Sequence, residues 1–324
     1  MPAFVTHNYF AKDVYEKLDK NIKKELASAL DFYAMFAQSF DNLFYYRLPL
    51  LIGKDIRHLG HIGQKSNTQS YFINMIRNIM TNNLEKNPEA LAYLYGSITH
   101  YVLDSTVHPF VFYKTGIYDK KDKTTWKYNN KHAKMEYMLD VYMYESRNQK
   151  PIYKWNFKKE MFPKLKPSKE ILGVIDATFD KTFHKKGLGK IFFKSYKWSR
   201  FLNVVGKKDR FGIKKGICSA IDILLGKGSN LKYYSLHIKK VDLSFLNLER
   251  KTWNHPSNLS LTFNYSFLDL YEIAKKQAIK TITAIDLVLN KKEDISILLE
   301  EIPNISYLTG FLITKNYPLK HFEY

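Results

Sequence analysis

The first 145 residues of this 324-residue chain predict a helical fold, and three observations carry that expectation. Apolar residues recur at helical spacing in two segments, an Asn-Pro pair opens a third, and a lysine-rich stretch separates that third segment from a fourth. In chain order, residues 11–37 place Val14, Leu18, Ile22, Leu26, Leu30, Phe32 and Phe36 mostly three or four positions apart. Residues 69–81 do the same with Phe72, Ile73, Ile76 and Ile79. Asn87-Pro88 suits the start of the next helix, because proline lacks an N–H that a first turn would leave unbonded anyway. That helix leads to His100. Residues 116–131 read as an exposed loop that delivers His132 to the following helix.

Two stretches carry chemistry. His100, Asp104 and His108 recur at four-residue steps, and His132 and Glu136 repeat that spacing, all within 37 residues. On a helix such residues lie one turn apart on the same side, close enough to share a cation. The same spacing also serves ordinary exposed helix pairs, worth a few tenths of a kcal/mol. The surroundings argue against that use. Ile98, Val102, Leu103, Val107, Phe110, Val111 and Phe112 make the run otherwise apolar, so the three polar groups would be buried unpaired unless a cation satisfied them. Six of the ten histidines (His7, His58, His61, His100, His108 and His132) also fall in the first 132 residues. The remaining four, His184, His237, His255 and His321, lack a carboxylate at ligand spacing and read as surface or structural residues.

Composition bounds the class. A chain with 45% hydrophobic residues is long enough for a large core, as one extended domain or somewhat more. The single Cys218 excludes an intramolecular disulfide and thiolate zinc fingers, leaving imidazole and carboxylate as the ligand supply. No signal peptide is visible, since Phe4-Val5 is too short an apolar core and His7, Lys12 and Asp13 follow at once. No apolar run approaches the ~20 residues of a spanning helix. A cytoplasmic protein, associated with a membrane at most peripherally, is the expectation, with no obligate protein partner.

The residues also resemble a family. Met1-Pro2-Ala3-Phe4-Val5-Thr6-His7, Asp41-Asn42-Leu43-Phe44-Tyr45-Tyr46, Gly96 to Pro109 and His132 to Glu136 are similar to the zinc-dependent phospholipase C-like family, itself related to trinuclear-zinc single-strand nucleases. Trp253-Asn254-His255-Pro256 and Ser266 to Tyr271 resemble its closing segment more loosely. The resemblance implies an all-α, multi-helix bundle holding two to three zinc ions. It implies that His100, Asp41 and Asp104 bind one zinc, that His108, His132 and Glu136 bind a second, and that His7 and Asp104 form part of a third, with Asp104 as bridge. Asp41 is the expected catalytic residue, as ligand, general base or both. The family has a histidine where this chain has Gln64, so His61 is the expected substitute, with His58 in reserve. Secreted members use a processed amino terminus as a ligand, and removal of the initiator methionine here would expose Pro2.

The activity so implied is phosphodiester hydrolysis of phospholipase C type, by metal-activated water at a phospholipid. A single-strand nuclease is one alternative, although the four-residue step from Asp104 to His108 is shorter than expected for it. A non-catalytic zinc-binding relative is another, because of Gln64. The chain divides in expectation into a zinc-binding core (1–149), a basic insert (150–244) and C-terminal helices completing the core (245–324). Within the insert, residues 181–232 hold fourteen Lys or Arg against Asp209 and Asp222, a large share of the chain's formal +20. Phe192, Phe193, Tyr196, Trp198, Phe201 and Phe211 are interleaved. Such a mixture suits an anionic membrane surface, or less readily nucleic acid. Seven glycines from Gly187 to Gly228 break it too finely for one long amphipathic helix, which favours a solvated helical face plus an ordinary core stripe over such a binding surface. Phe44, Tyr45 and Tyr46 read as packing that can also wall a pocket, Trp253, Phe267, Leu268 and Tyr271 as core, and Asp140 as an exposed carboxylate or a residue orienting a ligand histidine.

Overall fold

A computed structural model describes residues 4–47, 56–226, 228–229, 231–238, 241–315 and 317–323. The fold is all-α: α1 (Phe4–Lys17), α2 (Lys20–Leu26), α3 (Leu30–Phe36), α4 (His58–Lys65), α5 (Thr68–Thr81), α6 (Pro88–Thr115) and α7 (Lys131–Asn148) form its first half. After these come α8 (Phe157–Glu160), α9 (Lys169–Phe183), α10 (Leu188–Lys207), α11 (Ile213–Leu225), α12 (Phe267–Leu289) and α13 (Leu298–Glu301). A short 3-10 segment, Ser39–Tyr45, follows α3.

Helix α6 is the axis of the molecule. It runs 28 residues and is buried on nearly every side, so it has no single apolar stripe and must be enclosed by other helices. α12, α3, α1 and α7 pack around it. The Asn87 side chain accepts the Ala90 N–H at 3.0 Å and caps its start, with Pro88 in the first turn. Pro109 lies inside it and cannot bond the Ser105 carbonyl one turn back. Gly310 fills that side by close approach: a Cβ there would sit 2.6 Å from the Ser105 oxygen.

The 11–37 segment is three helices. Asp19 ends the first and starts the second by accepting the Asn21 N–H at 2.8 Å, a local bond that competes with continuing the helix. α9 lies against α5, where Asn78 donates to Thr178 at 3.2 Å, and α10 places Phe192 on Phe36 with ring centroids 5.6 Å apart. Helices of the 150–244 segment therefore join the same buried core as α3 and α6. Beyond 245 the chain holds α12 and α13 and also an antiparallel hairpin of β1 (Trp253–His255) and β2 (Asn258–Phe263). Its Trp253 packs between Phe263 and Phe110, at 4.8 and 5.3 Å, so the hairpin covers one flank of α6.

Candidate metal centre

Three successive turns of α6 present His100, Asp104 and His108 to the space between α1, the 3-10 segment, α4 and α7. α1 contributes His7, the 3-10 segment Asp41, and α7 His132 and Glu136. The sequence separation of these residues exceeds 120 positions, yet their ligand atoms form two adjoining groups. In one, His7, Asp41, His100 and Asp104 each offer an atom within 4.8 Å of the others, and in the second His108, His132 and Glu136 do the same.

Asp104 lies at the centre. Its Oδ1 is 3.2 Å from His7 Nε2, and its Oδ2 is 3.3 Å from His100 Nε2 and 3.7 Å from His108 Nδ1. Asp41 Oδ2 is 3.7 Å from His100 Nε2. In the second group, Glu136 Oε1 lies 3.0 Å from His132 Nε2 and 3.8 Å from His108 Nε2.

Backbone carbonyls orient two of the imidazoles. His100 Nδ1 is 3.1 Å from the Ala37 oxygen and His108 Nδ1 is 3.0 Å from the Tyr307 oxygen. A carbonyl only accepts, so each Nδ1 carries a proton and each Nε2 is the atom left to face the cluster, the one a histidine ligand would use. Among the described residues, His100 Nε2 and His7 Nδ1 are buried without a hydrogen-bond partner. Buried polar atoms are seldom left so, and a cation among these oxygens and nitrogens would satisfy them.

The charges agree. Burial drives His100 down to about 3, against the pull of Asp104, so it stays neutral and able to ligate. Burial and the neighbouring charge of Asp104 push Asp41 up, whereas His108, His100 and His7 overcome burial at Asp104 and hold it well below the usual carboxylate range. Burial would lower His108, but Asp104 and Glu136 raise it to about 9. The buried acids thus draw positive charge from protons on Asp41 and His108, and a divalent ion supplies that charge more fully. Imidazole and carboxylate form a donor set suited to zinc, and the second group offers three donor residues, which would leave a fourth position open on an ion held there. The residues fit the metal.

Gln64 stands where His61 was expected. Its Nε2 donates to Asp41 Oδ1 at 2.6 Å, and the side chain is buried. His61 lines the outer pocket with its ring 4.7 Å from that of Phe44, is largely exposed, and has no atom in either ligand group. Packing decides this. Gly60 and Gly63 face Phe44 and Phe40, where a Cβ on Gly63 would meet the Phe40 ring at 2.3 Å, and that contact turns Gln64 inward and leaves His58 and His61 outside. Asp140 is buried, not exposed, and accepts the N–H and hydroxyl of Thr6 at 2.9 and 3.1 Å, which ties the first turn of α1 to α7 at the residue before His7. The proposed ligand at the amino terminus, Pro2, lies outside the described residues. His255 bonds the Thr309 carbonyl and His237 the Asp209 carbonyl, both as structural residues.

The clusters open into a pocket of about 450 Å³ walled by Phe44, Phe112, Tyr118 and Tyr128, with Lys65 at its edge. A family model described as zinc dependent phospholipase C matches residues 6–187, more than half of the chain, and the chain belongs to that family. No curated protein and no solved structure matches it.

Proposed function

We propose that this member of the zinc-dependent phospholipase C family hydrolyses a phospholipid phosphodiester in the pocket above the two ligand groups. The observation that supports it is the convergence of His7, Asp41, His100, Asp104, His108, His132 and Glu136 in two adjoining groups, all but the fully buried His100 lining one cavity. In this reading His100, Asp41 and Asp104 hold one zinc, His108, His132 and Glu136 hold a second, and His7 with Asp104 contributes to a third. Bound zinc supplies Lewis-acid charge to the phosphoryl oxygens and makes a nearby water more acidic.

The side chains do the rest. Gln64 occupies Asp41 Oδ1, so Oδ2 is the atom directed at the cluster, where Asp41 in its ionised form would serve as zinc ligand, as acceptor of a proton from the attacking water, or as both. Oxygen from that water bonds to phosphorus, the P–O bond to diacylglycerol breaks, and the diacylglycerol oxygen takes a proton. The products are diacylglycerol and a phosphorylated head group. Phe44, Phe112, Tyr118 and Tyr128 line the pocket with aromatic surface, which lowers the local polarity around the buried acids.

Metal analysis of protein purified without chelator tests the reading, together with turnover of a short-chain phosphatidylcholine and of single-stranded DNA, each with and without chelator. Two to three zinc ions per chain and chelator-sensitive lipid hydrolysis are expected. Hydrolysis of DNA alone would make the protein a nuclease. One zinc or none, with no turnover, would make it a non-catalytic relative.

A further inference from the structure

Helix α11 is built inside out. One side of the helix is polar and faces the protein: Lys215 Nζ donates to the His237 carbonyl at 2.7 Å and to Tyr137 OH at 3.2 Å, and Ser219, one turn on, is half-buried and bonds the Lys215 carbonyl within the helix. Asp222 is buried and accepts from Ser229 Oγ, Leu231 N and Lys232 N at 2.5, 2.8 and 3.0 Å. Its apolar residues face outward. Ile213, Ile217, Ala220, Ile221 and Leu224 recur at helical spacing on the exposed side, with Ile217 58% and Leu224 86% exposed. Phe211 before the helix and Ile223 and Leu225 at its end add to the patch, at 74%, 80% and 62% exposure. Scattered apolar residues need no explanation, but a contiguous apolar helix face held outward by a bonded polar face does.

The rim of the patch is basic. Lys208, Arg210 and Lys214 are exposed around Phe211, and Lys214 bonds the Val205 and Lys208 carbonyls, joining α11 to the end of α10. The outer face of α10 runs from Lys190, Lys194 and Lys197 to Phe201 and Val205, so cationic surface grades into apolar surface toward α11. The patch also adjoins the metal pocket. α11 rests through Lys215 on Tyr137 of α7, the helix that carries His132 and Glu136, and its end leads within three residues to Gly228, which lines the pocket and donates to Asn129 at 3.1 Å. Both helices lie beyond the family match, which ends at residue 187.

We propose that α11 and the adjoining end of α10 form an interfacial docking surface for an anionic phospholipid bilayer, seated so that the mouth of the pocket faces the lipid. The apolar face enters the acyl boundary while Lys208, Arg210 and Lys214 meet the lipid phosphates, the pattern of a helix lying in the membrane plane. No described helix is long and apolar enough to cross a membrane. A second copy of the chain is the weaker occupant, because a two-fold contact would set the basic rim of each copy beside its own counterpart. The seating over the pocket rests on the phospholipase reading, whereas the docking surface itself does not.

Sedimentation of the full chain with vesicles tests it, using phosphatidylcholine alone and an equal mixture of phosphatidylcholine and phosphatidylglycerol. Binding to the anionic vesicles is expected to be stronger by roughly tenfold or more and to weaken with salt. The double variant Ile217→Asp with Leu224→Asp loses roughly tenfold or more of that binding, with unchanged helical content and zinc content. Lys208→Glu with Arg210→Glu loses the preference for the anionic vesicles. Equal binding by wild type and the aspartate variant overturns the proposal, as does absence of binding, or a wild-type dimer that the aspartate variant dissociates while vesicles are ignored. Vesicle binding without lipid turnover would sustain the surface and sink the phospholipase reading; turnover of monomeric lipid without vesicle binding would do the reverse.

Discussion

Asp104→Asn removes one charge while keeping shape, and the geometry sets how much that should cost. The carboxylate oxygens lie 3.2 and 3.3 Å from His7 and His100 and 3.7 Å from His108, so both ligand groups feel this one charge. At about 4 Å and the effective screening typical of protein sites, a unit charge pair is worth about 4 kcal/mol, which corresponds to roughly a thousandfold in metal affinity. An amide keeps one oxygen but presents a neutral donor group to a second cationic neighbour, so the variant should lose zinc from both groups. Competition against a chromophoric chelator gives the affinity, and elemental analysis gives the content. A fall of two orders of magnitude or more, with activity lost in parallel and helical content retained, is expected. A variant that keeps full zinc content and full turnover would refute the assignment of Asp104 as the shared ligand.

His61→Ala should leave zinc content unchanged, whereas Gln64→Leu should lower it, because of the two it is Gln64 that bonds Asp41 and His61 has no atom in either ligand group; elemental analysis of the two variants decides. Zinc uptake at neutral pH should expel a proton from His108, held at about 9 in the metal-free protein, so affinity rises with pH up to that value; calorimetry in two buffers of different ionisation enthalpy counts the proton. The same shift predicts that protonated His108 stabilises the metal-free protein below its ordinary value of 6.5 and that this contribution is lost as pH rises through about 9, read as a falling Tm after chelation. Gly63→Ala should destabilise the fold by about 1–3 kcal/mol, because its Cβ would overlap the Phe40 ring at 2.3 Å, and thermal denaturation measures it.

The parts of the fold written in local chemistry were legible in the sequence. The apolar spacing of 69–81 matches α5, and Asn87-Pro88 marks the true start of α6 because cap and proline act within one turn. The histidines and acids at one-turn steps identified α6 and α7 as the helices that converge, since polar groups inside an apolar run need a partner. Tertiary contacts hid the rest. Whether His61 or Gln64 faces inward depends on Gly60 and Gly63 meeting Phe44 and Phe40, which no spacing within α4 reveals. Backbone oxygens of Ala37 and Tyr307 orient His100 and His108, and a carbonyl leaves no mark in a sequence. The apolar stripe of α11 reads as core by pattern alone. It faces outward because its opposite side is satisfied by His237, Ser229 and the backbone of Leu231 and Lys232.

Anomalous diffraction at the zinc absorption edge, from crystals grown without chelator, bears most directly on the metal centre. Peaks are expected between His7, Asp41, His100 and Asp104 and between His108, His132 and Glu136, with Gln64 beside Asp41 and His61 remote from any peak. A map with no peak at either position, or with zinc held by His58 or His61, would contradict the account.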